Sequence, residues 1–159
     1  MKEDTIMDGN IIYSDAFTND SIPEMLRLPE FREKADMLYQ AAREVRKNAY
    51  TPYSGFQVGA ALLTADGTVF CGVNVENASY PLTNCAERSA IFSAVSQGFT
   101  DFTAIAICGG TGEDTENPCY PCGACRQVMA QFCGKTFPII LSNGIYLLGN
   151  LLPYAFEFK

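Results

Sequence analysis

The order in which hydrophobic spacing changes along the chain limits the fold more than any other feature. Phe31, Ala35, Leu38, Tyr39, Ala42 and Val45 recur at helical spacing behind Pro29. This predicts an amphipathic helix opened by proline, with Glu30 and Glu33 at its positive end and Arg46 and Lys47 at its negative end. A turn-rich loop, Tyr50-Thr-Pro-Tyr-Ser-Gly-Phe56, follows. Gln57–Thr64 then reads as a strand apolar on both faces, hence interior to a sheet. Ala65-Asp66-Gly67 is a hairpin turn. The return strand, Thr68–Glu76, sets Val69, Cys71, Val73 and Val75 on one face and Phe70, Gly72, Asn74 and Glu76 on the other. Further helices are expected over Cys85–Gln97, capped by Asn84 and stopped by Gly98, and from Cys122 to just before Gly134. Strands are expected at Thr103–Cys108, Phe137–Leu141 and Ile145–Leu148, with Gly109–Asn117 as a polar loop. The order α-β-β-α-β-α-β predicts an α/β fold, a sheet sandwiched between helices.

A chain of 159 residues with 48% apolar and 18% charged residues suits one globular domain. No repeat or linker divides it. Residues 1–28 read as a loose N-terminal extension and 29–159 as the folded domain. The net charge of −7, with no basic run, argues against a polyanion such as nucleic acid as partner. No apolar stretch approaches the roughly 18 residues a membrane helix needs. The acidic first twenty residues lack the apolar core of a secretory signal, so a cytoplasmic location is expected.

The chain has no histidine. That excludes a Ser–His–Asp triad, a Cys–His pair and any histidine-ligated metal, and it leaves Asp, Glu, Lys, Tyr or Cys for proton transfer. Cysteine is abundant, at 71, 85, 108, 119, 122, 125 and 133. In a chain without an export signal such a set points to metal or catalysis before disulfides. Two helix starts carry thiols: Asn84-Cys-Ala-Glu-Arg88 and Pro121-Cys-Gly-Ala-Cys-Arg126. Cys122 and Cys125 share a helical face, and helix N-termini favour thiolates. Cys85, Cys122 and Cys125 would hold zinc with a fourth position open, as a catalytic site requires. Each residue alone has a plainer reading. Cys85 could be a small buried hydrophobe, Glu87 the N3 partner of a capping box with Asn84, and Arg88 a solvated surface residue. Cys119-x-x-Cys122-x-x-Cys125 could open an iron–sulfur run, but the position for a fourth cysteine is Met129, and Pro121 leaves Cys119 in the loop. The combination of three cysteines, a neighbouring glutamate and Pro-Cys-x-x-Cys is the described pattern of zinc deaminases.

Tyr53-Ser-Gly-Phe-Gln-Val-Gly-Ala-Ala61, Asn74-Val-Glu-Asn-Ala-Ser-Tyr80, Cys85-Ala-Glu-Arg88 and Pro121-Cys-Gly-Ala-Cys-Arg-Gln-Val128 resemble the cytidine deaminases of pyrimidine salvage. The three-cysteine, homotetrameric branch is the nearest likeness, over Leu38–Leu141 and again at Leu151-Leu-Pro-Tyr-Ala-Phe156. The resemblance implies a three-layer α/β/α sandwich with a mixed central sheet. It implies one zinc per chain on Cys85, Cys122 and Cys125, Glu87 as proton shuttle, and Arg88 bonded to the thiolates. It implies Phe56 against the pyrimidine, Asn74 and Glu76 on the ribose hydroxyls, and the Ala86 backbone fixing the base. Tyr80 would face the 5′-hydroxyl of a neighbouring subunit's substrate, and Phe156 would close a neighbour's site. The implied activity is hydrolysis of cytidine and deoxycytidine to uridine and deoxyuridine with release of ammonia.

Three departures stand out. About thirty residues precede the family's usual start. Leu141–Leu151 is shorter than in the family, and the chain stops three residues after Phe156, short of the C-terminal helix of some relatives. Two rivals remain at this point. One is a deaminase of another aminopyrimidine, such as blasticidin S. The other is a zinc-stabilised binding module, which would want a closed four-ligand site and no glutamate beside it.

Overall fold

The computed structural model describes residues 23–158. The expected extension, 1–28, lies outside them except for its last six residues, where Glu24–Arg27 form a 3₁₀ turn with Leu26 buried. The elements that follow are α1 (Pro29–Val45), β1 (Phe56–Thr64), β2 (Val69–Val73), α2 (Ala86–Ser96), β3 (Phe102–Thr111), α3 (Gly123–Phe132), β4 (Pro138–Leu141), β5 (Gly144–Leu147) and α4 (Leu148–Leu151). The strands form one sheet in the order β2-β1-β3-β4-β5. β3 and β4 are parallel and every other pair is antiparallel, so the sheet is mixed.

Strand alternation sorts the core into two layers. Ala61 and Leu63 of β1 and Ala104, Ala106 and Cys108 of β3 meet Ala35, Leu38, Tyr39 and Ala42 of α1. Their neighbours Ala60, Leu62, Ile105 and Ile107 belong to the core on the opposite face, with Ala90, Ile91 and Ala94 of α2 and Cys125 and Met129 of α3. The result is the α/β/α sandwich that the element order predicts. Two glycines let helices lie directly on the sheet. A Cβ on Gly72 would stand 2.4 Å from the Ala86 carbonyl oxygen and from the Ala90 nitrogen of α2. A Cβ on Gly59 would stand 2.1 Å from the Ala42 carbonyl oxygen at the end of α1.

The structure departs from the sequence expectations at several ends. β2 stops at Val73, and beyond it Val75 makes only isolated bridges to Tyr50 and Asn84. β3 runs on to Thr111, because β1 supplies paired partners as far as Phe56. The residue capping α2 is Cys85, not Asn84, whose side chain bonds the Ser89 hydroxyl instead. Arg46 lies just past the end of α1, near the negative end where the sequence places it. It is buried, and its guanidinium donates to the carbonyls of Gly110 (3.0 Å) and Gly112 (2.6 Å). This ties the exit of β3 to the end of α1. Among the described residues no helix is long and apolar enough to cross a membrane.

Candidate metal centre and active site

α2 and α3 lie on the same face of the sheet, and each begins at a cysteine. Cys85 is the N-cap of α2 and Cys122 the N-cap of α3, with Cys125 in the first turn of α3. Neither cysteine caps its helix through a side-chain hydrogen bond to the backbone, which leaves both sulfurs available as donors. The Sγ atoms of Cys85 and Cys122 are 3.8 Å apart, and those of all three cysteines lie within 4.8 Å of one another. Zn–S bonds of 2.3 Å at tetrahedral angles place sulfurs about 3.8 Å apart, so the donor set fits zinc in both chemistry and spacing. Three thiols leave one tetrahedral position for water or substrate. Cys125 is buried while Cys122 is exposed, so the cluster reaches the surface at Cys122. Cys119 is not part of this cluster; burial pushes its thiol up to about 12.

The surrounding charges agree with this role. A hydrogen bond from Cys125, with another from Arg88 Nη2 at 3.3 Å, holds the Cys85 thiol down at about 5 despite its partial burial. The same shared bond, together with burial, pushes Cys125 up. Bonding to Cys85 holds the Arg88 guanidinium firmly charged. Glu87, in the first turn of α2, is 4% exposed. Burial first, and then the negative charge of Cys85, push its carboxyl up to about 7. A carboxyl that gains and loses its proton near neutrality suits general acid–base work. The capping-box reading fails, because with Cys85 as the cap Glu87 is one position too early.

The remaining predicted residues fall into two groups. Phe56, Asn74 and Glu76 come together around the start of β1. Asn74 accepts from the Val58 N–H (2.8 Å) and donates to the Phe56 carbonyl (2.9 Å). Glu76 accepts from the N–H groups of Tyr53 (3.0 Å) and Ser54 (3.2 Å) and from the Ser54 hydroxyl, which holds its carboxyl below the usual range. Ala86, buried, follows Cys85 at the mouth of α2. Tyr80 and Phe156 stand apart, each 73% exposed. Two residues without a sequence reading also shape the region. One is Ser54. The other is Arg126, which donates to the carbonyls of Pro121 (2.7 Å) and Leu151 (2.6 Å) and so ties the approach to Cys122 to the C-terminal segment. An arginine directly after a cysteine pair was the available signal for Arg126; for Ser54 there was none beyond its place in a turn.

An open three-thiol zinc position beside a buried, neutral-titrating carboxyl, built on an α/β/α sandwich, defines the class: a zinc-dependent hydrolytic enzyme. Residues 32–141 match the cytidine and deoxycytidylate deaminase zinc-binding region, and the chain belongs to that family. A cytidine deaminase of Sporosarcina psychrophila is 51% identical over 127 residues, 77% of this chain and 90% of that protein. Another, from Halalkalibacterium halodurans, is 55% identical over 125 residues, 76% of this chain and 92% of that protein. The crystal structure of cytidine deaminase from Burkholderia pseudomallei superposes with a TM-score of 0.70 at 50% identity, covering 76% of this chain and 97% of that one.

Proposed function

We infer that the protein deaminates cytidine and deoxycytidine hydrolytically, giving uridine, deoxyuridine and ammonia. The observation that carries this reading is Glu87, a buried carboxyl titrating near neutrality directly beside the three-thiol cluster. Cys85, Cys122 and Cys125 would hold zinc, which when bound supplies the Lewis acidity that makes hydroxide available near neutral pH. Glu87 accepts a proton from the attacking water and hands it to N3 as C4 is attacked; it then takes the remaining proton of the hydroxyl added at C4 and delivers it to the amine, which leaves as ammonia while the C4 carbonyl forms. Arg88 offsets the negative charge of the thiolates through Cys85. The N-termini of α2 and α3 add positive potential where charge develops.

Phe56 packs against the pyrimidine, the Ala86 backbone fixes the base, and Asn74 and Glu76 take the ribose hydroxyls. Glu76 repels a nearby phosphate, so nucleosides are the substrates and CMP is not. The family likeness supports a homotetramer in which Tyr80 and Phe156 complete neighbouring sites. Exposed Tyr80, Leu82, Phe156 and Phe158 support it too, because they leave apolar surface for a second copy to cover. All seven cysteines are free thiols, which suits a reducing compartment such as the cytoplasm and a place in pyrimidine salvage.

The test is zinc content together with ammonia release from cytidine, deoxycytidine, CMP and cytosine. Faster turnover of CMP than of cytidine overturns the nucleoside reading. Light scattering across a dilution series, with activity in parallel, tests assembly; a fully active monomer overturns the shared sites.

A further inference from the structure

We propose that Ser54 is a positioning residue that joins the base and ribose subsites by fixing which oxygen of Glu76 faces the sugar. The proposal rests on the reading of Phe56 and Glu76 given above.

An ionised carboxylate offers about four acceptor sites, two on each oxygen. Glu76 is 9% exposed, and its Oε2 accepts from both the Tyr53 and the Ser54 N–H groups. That oxygen is full. Oε1 accepts from the Ser54 hydroxyl and has one site left. A nucleoside hydroxyl is the kind of donor that remaining site takes. The hydroxyl that orients Oε1 is itself oriented, because Ser54 Oγ accepts from the Phe56 N–H at 3.0 Å. Gly55, at φ +68°, turns the chain between the two residues. Phe56 is thereby held at both backbone groups, its N–H by Ser54 and its carbonyl by Asn74. A single hydroxyl thus connects the backbone of the base-packing aromatic to the sugar-binding carboxylate. Hydrogen-bond directionality passes the position of one to the other.

The experiment uses zinc-loaded protein with Ser54→Ala, Ser54→Thr, Glu76→Ala and the Ser54→Ala/Glu76→Ala pair. For each, kcat and KM for cytidine, zinc content and melting temperature are measured. Ser54 lies on an exposed loop, so Ser54→Ala is expected to keep its zinc and its melting temperature. Its KM is expected to rise about tenfold, the scale of one hydrogen bond to a charged group, with kcat within about twofold. Ser54→Thr, which restores a hydroxyl, is expected to restore KM. In the Glu76→Ala background, Ser54→Ala is expected to add little. Additive KM effects, or a fall in kcat with KM unchanged, overturn the role of Ser54 and leave the ribose reading standing. An unchanged KM in Glu76→Ala overturns the ribose reading, and this proposal with it. If Ser54→Ala folds poorly, Ser54→Gly removes the same hydroxyl and decides the question.

Discussion

A carboxyl in the first turn of a helix is ordinarily stabilised as the anion by the helix dipole. At Glu87 burial and the adjacent Cys85 thiolate act the other way and prevail, leaving the group at about 7. Its worth should therefore lie in proton transfer and not in holding the helix. Glu87→Gln should bind zinc and fold normally while losing about 10²–10⁴-fold in turnover. Melting temperature and ammonia release on one preparation check this; a lowered melting temperature with turnover intact would mean that the residue is structural. The cysteines separate in the same manner. Cys85→Ala should lose zinc, whereas Cys119→Ala, outside the cluster, should keep full occupancy by metal analysis. The three-cysteine cluster and its neighbouring glutamate were legible as a group because their spacing is local, three residues or fewer within each helix start. Ser54 and Arg46 were not, because their partners Glu76, Gly110 and Gly112 lie 22 to 66 residues away and only the folded chain brings them near.

Helix α2 carries Cys85 at its cap and Glu87 in its first turn, so its seat on β2 sets where both side chains stand in the proposed site. That seat is Gly72. Gly72→Ala should force α2 outward, lower stability by about 1–3 kcal/mol, and reduce zinc retention and turnover together. Gly59→Ala is the control. It makes a comparable clash with α1 on the far side of the sheet, and should destabilise without lowering zinc bound per folded chain. Thermal melts and metal analysis compare the two; equal zinc loss in both would show that the two helical layers are not independent. Element identities were legible because period-2 and helical spacing differ plainly between segments such as Thr103–Cys108 and Phe31–Val45. Element ends were less so. The alternation of β2 continues through Glu76, yet the ladder ends at Val73, beyond which the Asn74 side chain serves Phe56 and Val58. β3 outran its expected end because Gly109 and Gly110, which read as turn residues, pair with Val58 and Gln57.

At the scale of the molecule, zinc on these thiols would join two helices whose capping cysteines are 37 residues apart. Binding at such a site is coupled to folding. Stripping the metal with a chelator should lower the melting temperature, and zinc should restore it; calorimetry before chelation, after it and after zinc is returned checks this, and an unchanged transition would show that the fold does not depend on the metal. The sheet order carries a further consequence, in time. β1 and β2 meet across a short turn, whereas parallel β3 and β4 join only after α3 has crossed between them. During synthesis every residue of the β1–β2 pair is in the chain before Cys122 and Cys125 are added. The three thiols can therefore meet only after α3 has followed β3, so a shortage of zinc is expected to be felt late in the making of the molecule and not at the β1–β2 pair.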